Sequence, residues 1–301
     1  MQAIIISAAD SGFFSLLQGL LASLQRFVNH GKSLPQLGIL DLGLTPEERR
    51  WLGERHQAVI IEPEWDFDFA DRDTRSPTFK AQTARPFLPR YFPGFDLYIW
   101  MDADLWLQEY AVLEWLVRGS RNRRLAITQE LHSAYKRHYD NREIMGKYAF
   151  FNDFFNPQTA ETYGLTPSLN VGVFALPAAA PHWEAWRRVM RHVLSVESSF
   201  YSEQVSLDFA VYSRRLPVTW LPARANWLCH QARPAWDPQS QKLVDPCPPH
   251  HPLWVVHLTM ATKEMGFLLE IIASAGQPGV IETRLDFFSI QKLGEAGGVT
   301  G

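Results

Sequence analysis

Asp102 and Asp104, separated by Ala103, are two carboxylates at the end of an apolar run, and their spacing suits a cation. Residues 97–101, Leu-Tyr-Ile-Trp-Met, have the length and aromatic content of a buried strand. Buried carboxylates are costly unless they are paired or bind a cation, so two at a strand end point to a divalent metal at the carboxyl edge of a sheet. Taken alone the pattern is weak, because the chain has three Asp-x-Asp triplets, where its aspartate content supplies about one by chance. Asp66-Phe67-Asp68 and Asp71-Arg72-Asp73 lie in a polar stretch and read as solvated loop acids. Even Asp102 and Asp104, standing alone, fit an N-cap and a turn acid equally well. Far along the chain, His257 ends another apolar run and Lys263 follows six residues later. Singly, they read as a hydrogen-bonded strand-end histidine and a solvated charge. His230, His250 and His251 lack partners at ligand spacing and read as loop surface.

Composition narrows the class. With 301 residues, 46% of them hydrophobic, the chain can bury a sizeable core. A net charge of −3 gives no basic field, which argues against a nucleic-acid partner, so charge for an anionic ligand must come from individual Lys or Arg residues or from a metal. Cys229 and Cys247 are too few for a disulfide framework and lack zinc-ligand spacing, which makes a reducing cytoplasm the expected location. The first ten residues lack the basic flank of a signal peptide, no run approaches the length of a membrane span, and nothing indicates peripheral membrane contact.

The elements that must position these residues alternate. Residues 3–9 read as a strand, 10–12 as a turn and 13–27 as a helix. A second unit follows: a strand over 36–40, then Thr45-Pro46-Glu47-Glu48 as an N-capped helix start, then a strand over 58–61. Residues 62–77 read as loop and 78–91 as a helix limited or kinked by Pro86 and Pro89. Past the aspartates come a helix over 113–117, a strand over 125–128 and a long aromatic, basic insertion over 129–167 with weak periodicity. Within that insertion His132, Tyr135, Lys136, Arg137, His138 and Tyr139 suit a substrate lid. Residues 168–176 form a strand carrying Asn170 and Gly172, and helices follow over 181–193 and 202–212. Strands are expected over 216–221 and 253–256, a helix over 264–273, and a flexible tail over 294–301. The fold class is α/β: one domain over 1–265, a mostly parallel central sheet with helices on both faces, and a C-terminal helix and tail over 266–301.

In order and spacing, these motifs resemble the retaining glycosyltransferases of the GT-A fold, most closely family 8, which use a UDP-sugar and manganese. The resemblance spans about residues 3–265. Ala8-Ala9-Asp10 matches the family's opening strand, whose acid contacts uracil, with Phe13 as the base-stacking aromatic. Arg85 precedes Asp102 by seventeen residues, as in the family. Leu169-Asn170-Val171-Gly172-Val173 matches the strand with the sugar-binding asparagine, and Glu203-Gln204 stands where the family shows Asp-Gln. His257 and Lys263 match the third metal ligand and the diphosphate-binding lysine. Departures are Glu203 in place of Asp, Pro86 in place of Leu, and the missing Gly and Pro-Trp around the lysine.

The resemblance implies transfer of a hexose from a UDP-sugar to a saccharide or glycolipid acceptor, such as lipopolysaccharide or another glycan. Asp102, Asp104 and His257 would hold Mn²⁺, with Mg²⁺ as a substitute, and Ala103 would line the nucleotide site. Lys263, Arg85 and Lys80 would face the diphosphate or orient the carboxylates. Glu203, Asn170 and Glu130 would contact the donor sugar. Because Gln204 is no carboxylate, attack from the leaving-group face is favoured over a covalent intermediate, with Gln204 against the anomeric carbon. The competing readings are a nucleotidyltransferase, whose Gly-rich phosphate loop is missing after the first strand, a non-catalytic nucleotide- or sugar-binding protein, and a metal-dependent phosphohydrolase.

Overall fold

The computed structural model describes residues 1–136, 140–272 and 279–297. It alternates strands and helices in the order β1 (Ala3–Ala9), α1 (Phe14–Asn29), β2 (Gln36–Asp41), α2 (Pro46–His56), β3 (Val59–Ile61), α3 (Lys80–Ala84), α4 (Leu88–Tyr91), β4 (Leu97–Met101) and β5 (Leu105–Leu107). It continues with α5 (Ala111–Gly119), β6 (Leu125–Gln129), α6 (Asn141–Phe154), α7 (Pro157–Tyr163), β7 (Leu169–Pro177), α8 (His182–Val196), α9 (Ser202–Arg214) and β8 (Val218–Leu221). The last part holds β9 (Trp227–Leu228), β10 (Ala235–Asp237), β11 (Lys242–Val244), β12 (Val255–His257), β13 (Gly266–Ile271), β14 (Gly279–Arg284) and α10 (Phe287–Gly297).

Seven strands form the main sheet in the order β3-β2-β1-β4-β7-β6-β8. All neighbours run parallel except at β7, which is antiparallel to both β4 and β6. β4 lies at the centre and is buried along its whole length. Its alternate residues serve two cores: Leu97, Ile99 and Met101 pack with the α1 and α5 side chains, and Tyr98 and Trp100 with those of α8 and α9. That division follows from the two-residue period of a strand and puts helices on both faces, as expected. α1 contributes Leu17, Leu20, Leu21 and Leu24, the spacing of one helical face. Thr45 caps α2 in a capping box with Glu48, behind Pro46 at the first turn.

The structure corrects several expectations. The single helix over 78–91 is instead a chain of short turns, with α3 and α4 separated by a 3-10 turn at Arg85–Phe87. Pro86 and Pro89 each remove a backbone donor there. The insertion over 129–167 is not irregular: α6 and α7 fill most of it, α7 starting at an Asn156 cap whose side chain accepts the Thr159 N–H. Phe151 and Phe154 of α6 pack against α8 and α9, so the element binds its own core. Of the lid candidates, Tyr135 is fully buried against Trp227, and Arg137, His138 and Tyr139 lie outside the described residues. The helix over 264–273 is instead strand β13, paired antiparallel with β14, because Gly266-Phe-Leu-Leu-Glu-Ile271 alternates exposed and buried positions; Ala273 lies outside the described residues. Of the expected tail, residues 294–297 belong to α10 and 298–301 lie outside the described residues. No described helix is long and apolar enough to cross a membrane.

A separate three-stranded sheet, β5-β12-β9, sets the site's geometry. β12 runs antiparallel to β5 with His257 opposite Leu105, and parallel to β9 with His257 opposite Leu228. Leu258 N–H donates to the Asp104 carbonyl at 2.8 Å. The chain leaving β4 is thereby stitched beside residues 153 positions away.

Candidate metal centre

Asp102 emerges from β4 and is fixed by its N–H to the Gly172 carbonyl, 2.9 Å. Asp104 follows two residues later, at the entry to β5, and the β5–β12 register turns His257 toward both. One ligand atom from each of Asp102, Asp104 and His257 lies within 4.8 Å of the other two, and this is the one such cluster of three among the described residues. His257 Nε2 is 3.2 Å from Asp104 Oδ1 and 3.8 Å from Asp102 Oδ2. Asp104 and His257 are 8% and 3% exposed, so protein groups and not bulk water must satisfy their polar atoms.

Gly172 makes the approach feasible. A Cβ there would sit 2.4 Å from His257 Cε1 and 2.9 Å from Asp102 Oδ2, so any side chain would drive the imidazole from the carboxylates.

Two cations stand among the cluster's carboxylates: Arg85 pairs with Asp102 and Glu203, and Lys263 with Asp104. Arg85 splits its fork, Nη2 to Asp102 Oδ1 at 2.7 Å and Nη1 to Glu203 Oε2 at 2.5 Å, while its guanidinium lies 4.4 Å from the Trp100 ring centre. Trp100 Nε1 also donates to Asp102 Oδ1 at 2.7 Å. Lys263 Nζ pairs with Asp104 Oδ2 at 2.9 Å and stands 4.9 Å from the centre of the Phe13 ring. Burial raises Asp104's affinity for a proton, but its electrostatic and hydrogen-bond contacts with His257 and Lys263 outweigh it and hold the carboxyl below the usual range. Burial moves Glu203 the other way, above the ordinary range, with Arg85 opposing and Asp102 adding to the shift. Its Oε1 is buried without a hydrogen-bond partner.

Two carboxylates and an imidazole form an oxygen-rich, open set that fits Mn²⁺ or Mg²⁺ better than a closed structural zinc site. The imidazole orientation supports the fit. Nδ1 faces Asn226 Oδ1 at 2.8 Å, leaving Nε2 toward the aspartates, where a lone pair would meet two anionic oxygens unless a proton or a cation lies between them.

A polar cluster adjoins this centre. Asn170 Nδ2 and Gln204 Nε2 both donate to Glu130 Oε1, at 2.9 and 3.0 Å. Asn170 comes from β7 beside a register shift in β6, and Glu203 and Gln204 from the first turn of α9. The structure therefore gathers Arg85, Asp102, Asp104, Glu130, Asn170, Glu203, Gln204, His257 and Lys263, with Phe13 at the edge. Other candidates are engaged elsewhere: Lys80 over the Trp65 ring, Asp10 capping the Phe13 N–H at 2.9 Å, Ala8 in the β1–β2 ladder, and Ala103 in the core. His230 bonds Thr259 and His250 the Asp245 carbonyl, outside the cluster. Trp100 and Asn226 were not legible as site residues; Trp100 looked like any core aromatic, and Asn226 lies in Arg-Ala-Asn-Trp, which carries no motif.

No family model matches the chain, and no curated protein matches it. Among solved structures it is similar to the galactosyltransferase LgtC in complex with donor and acceptor sugar analogues, at 15% identity and a TM-score of 0.49 over 86% of this chain and 88% of that one. It is also similar to core-mannan synthase A of Aspergillus fumigatus in its Mn/GDP form (11%, TM-score 0.47, 75% and 73% covered) and to mouse xyloside xylosyltransferase 1 (11%, 0.47, 78% and 86%). Likenesses this distant carry no argument about this chain's chemistry, which rests on the site itself.

Proposed function

We propose that this chain is a metal-dependent, retaining glycosyltransferase that moves a hexose from a UDP-sugar to a saccharide acceptor. The supporting observation is the convergence of Asp102, Asp104 and His257, which the β5–β12 pairing brings together across about half the chain. Bound there, Mn²⁺ would neutralise charge on the departing diphosphate. Lys263 adds a second cation on that side once it leaves Asp104, and Phe13, exposed beside it, offers a face for the base. Arg85 orients Asp102 while holding Glu203. Glu203, with one unpartnered oxygen, and Asn170 supply polar contacts for sugar hydroxyls, as does Glu130. Gln204 is pinned by Glu130 and presents no carboxylate nucleophile, so the reading favours attack from the face that the diphosphate leaves, with the departing phosphate taking the acceptor's proton.

The test is a screen of UDP-hexoses for release of UDP with Mn²⁺, Mg²⁺ or chelator, followed by determination of the product anomer. Metal-dependent release with retained configuration supports the reading. Nucleotide binding with no turnover on any donor or saccharide would favour the non-catalytic alternative.

A further inference from the structure

Asn226 is 1% exposed, lies just before β9, and touches both halves of the site. One unambiguous donor fixes the direction of its hydrogen bonds. The backbone N–H of Gly172 donates to Asn170 Oδ1 at 3.0 Å, which fixes that atom as the acceptor. Asn226 approaches the same oxygen at 2.7 Å and must offer Nδ2. Its Oδ1 is then the atom facing His257 Nδ1 at 2.8 Å, so Nδ1 carries a proton and Nε2 is directed to Asp102 and Asp104. The order is forced from β7 through Asn226 to the imidazole. On its other side Asn170 donates Nδ2 to Glu130, which also accepts from Gln204.

We propose that Asn226 is a positioning residue that holds His257 with Nε2 toward the two aspartates and ties that ligand to the Asn170–Glu130–Gln204 cluster. Asn226 itself touches neither metal nor substrate. Its oxygen selects the imidazole tautomer that can ligate, and its own amide is kept from flipping by Asn170. The inference rests on the metal-site reading and extends it to a residue outside every motif of the chain.

Mn²⁺ binding without nucleotide, followed by the paramagnetic resonance signal of free Mn²⁺, tests it. Asn226→Leu removes the acceptor for Nδ1–H and should weaken Mn²⁺ binding about 10–100-fold, the usual effect of losing an outer partner of a ligand histidine. Asn226→Asp keeps an acceptor for Nδ1–H, although its second oxygen then faces Asn170 Oδ1 without a donor, and it should retain Mn²⁺ binding clearly tighter than Asn226→Leu. Asn170→Ala lets the Asn226 amide turn its NH₂ toward His257, and should weaken Mn²⁺ several-fold although it lies one residue further out. Thermal midpoints accompany each variant. Parent-like binding by Asn226→Leu overturns the proposal, as does an Asn226→Asp variant as weak as Asn226→Leu, which would mark a packing role only. Should Asn226→Leu fail to fold, the other two decide: loss in Asn170→Ala with retention in Asn226→Asp supports the proposal, and any other combination overturns it. A parent protein that binds no Mn²⁺ overturns the metal reading and this proposal together, whereas a parent that binds Mn²⁺ with indifferent variants overturns this proposal alone.

Discussion

Lys263 faces two ways. It neutralises Asp104 and covers Phe13, so both groups are engaged by one ammonium until that side chain moves. Replacing it with Gln removes a cation that competes for Asp104 and also removes one needed as charge grows on a diphosphate. Lys263→Gln should therefore bind Mn²⁺ several-fold more tightly in the absence of nucleotide, yet turn over slower by a barrier of about 3 kcal/mol. Unchanged metal affinity and turnover would make it an ordinary surface lysine. Gly172 gives a steric counterpart. Gly172→Ala forces a Cβ to within 2.4 Å of His257 Cε1, and displacement of the ligand should lower Mn²⁺ affinity at least about tenfold. A calorimetric Mn²⁺ titration of that variant matching the parent would show that the imidazole can ligate from elsewhere. At this scale the aspartates, histidine and lysine were legible only through the order they share with the family they resemble, since singly each also fits a turn acid, a strand-end histidine or a solvated charge. Asn226 was not, since a single buried amide declares its role only through its partners.

At the scale of elements, Arg85 joins the 3-10 turn between α3 and α4 to β4 and to the start of α9. It is 7% exposed and divides its charge between two acids, so removing it leaves both uncompensated. Arg85→Met should cost about 3–5 kcal/mol of stability, and adding Glu203→Gln should restore part of it. Urea unfolding of the single and double variants measures this, and equal losses in both would show that Glu203 is not coupled to Arg85. The strands around the site were the easiest elements to read. Residues 97–101 are apolar throughout because β4 is covered on both faces, and α2 carries a full capping signal. The insertion was harder. α6 gathers Phe150, Phe151 and Phe154 into its last two turns, with Phe155 just past its end, and so short an aromatic cluster does not show the sustained one-sided periodicity by which a helix is recognised. β13 ran into the opposite difficulty: a short apolar run next to charged residues fits either period until β14 pairs with it.

For the whole molecule, stability should depend on acid through a buried histidine that the site does not use. His182, the first residue of α8, is fully buried, and burial lowers its pKa from 6.5 to about 4, with the Pro217 carbonyl opposing. The folded state then binds fewer protons than the unfolded state between those values, so stability is intact above about pH 6.5 and is lost as pH falls toward 4. The loss at the acid end is on the order of 3 kcal/mol, and His182→Gln should flatten that part of a denaturation profile. An unchanged acid limb in the variant would assign the loss to other groups. The fold brings together two distant parts of the chain, β4 with its aspartates and β12 with its histidine, and the proposed activity requires that junction to hold a cation that a nucleoside diphosphate can share. The most direct measurement is a calorimetric titration of UDP into the protein with Mn²⁺ and with chelator, alongside Asp104→Ala. UDP should bind with Mn²⁺ and lose at least about tenfold in affinity with chelator, and equally in Asp104→Ala; UDP binding of the same strength in all three would contradict a metal-bridged nucleotide site.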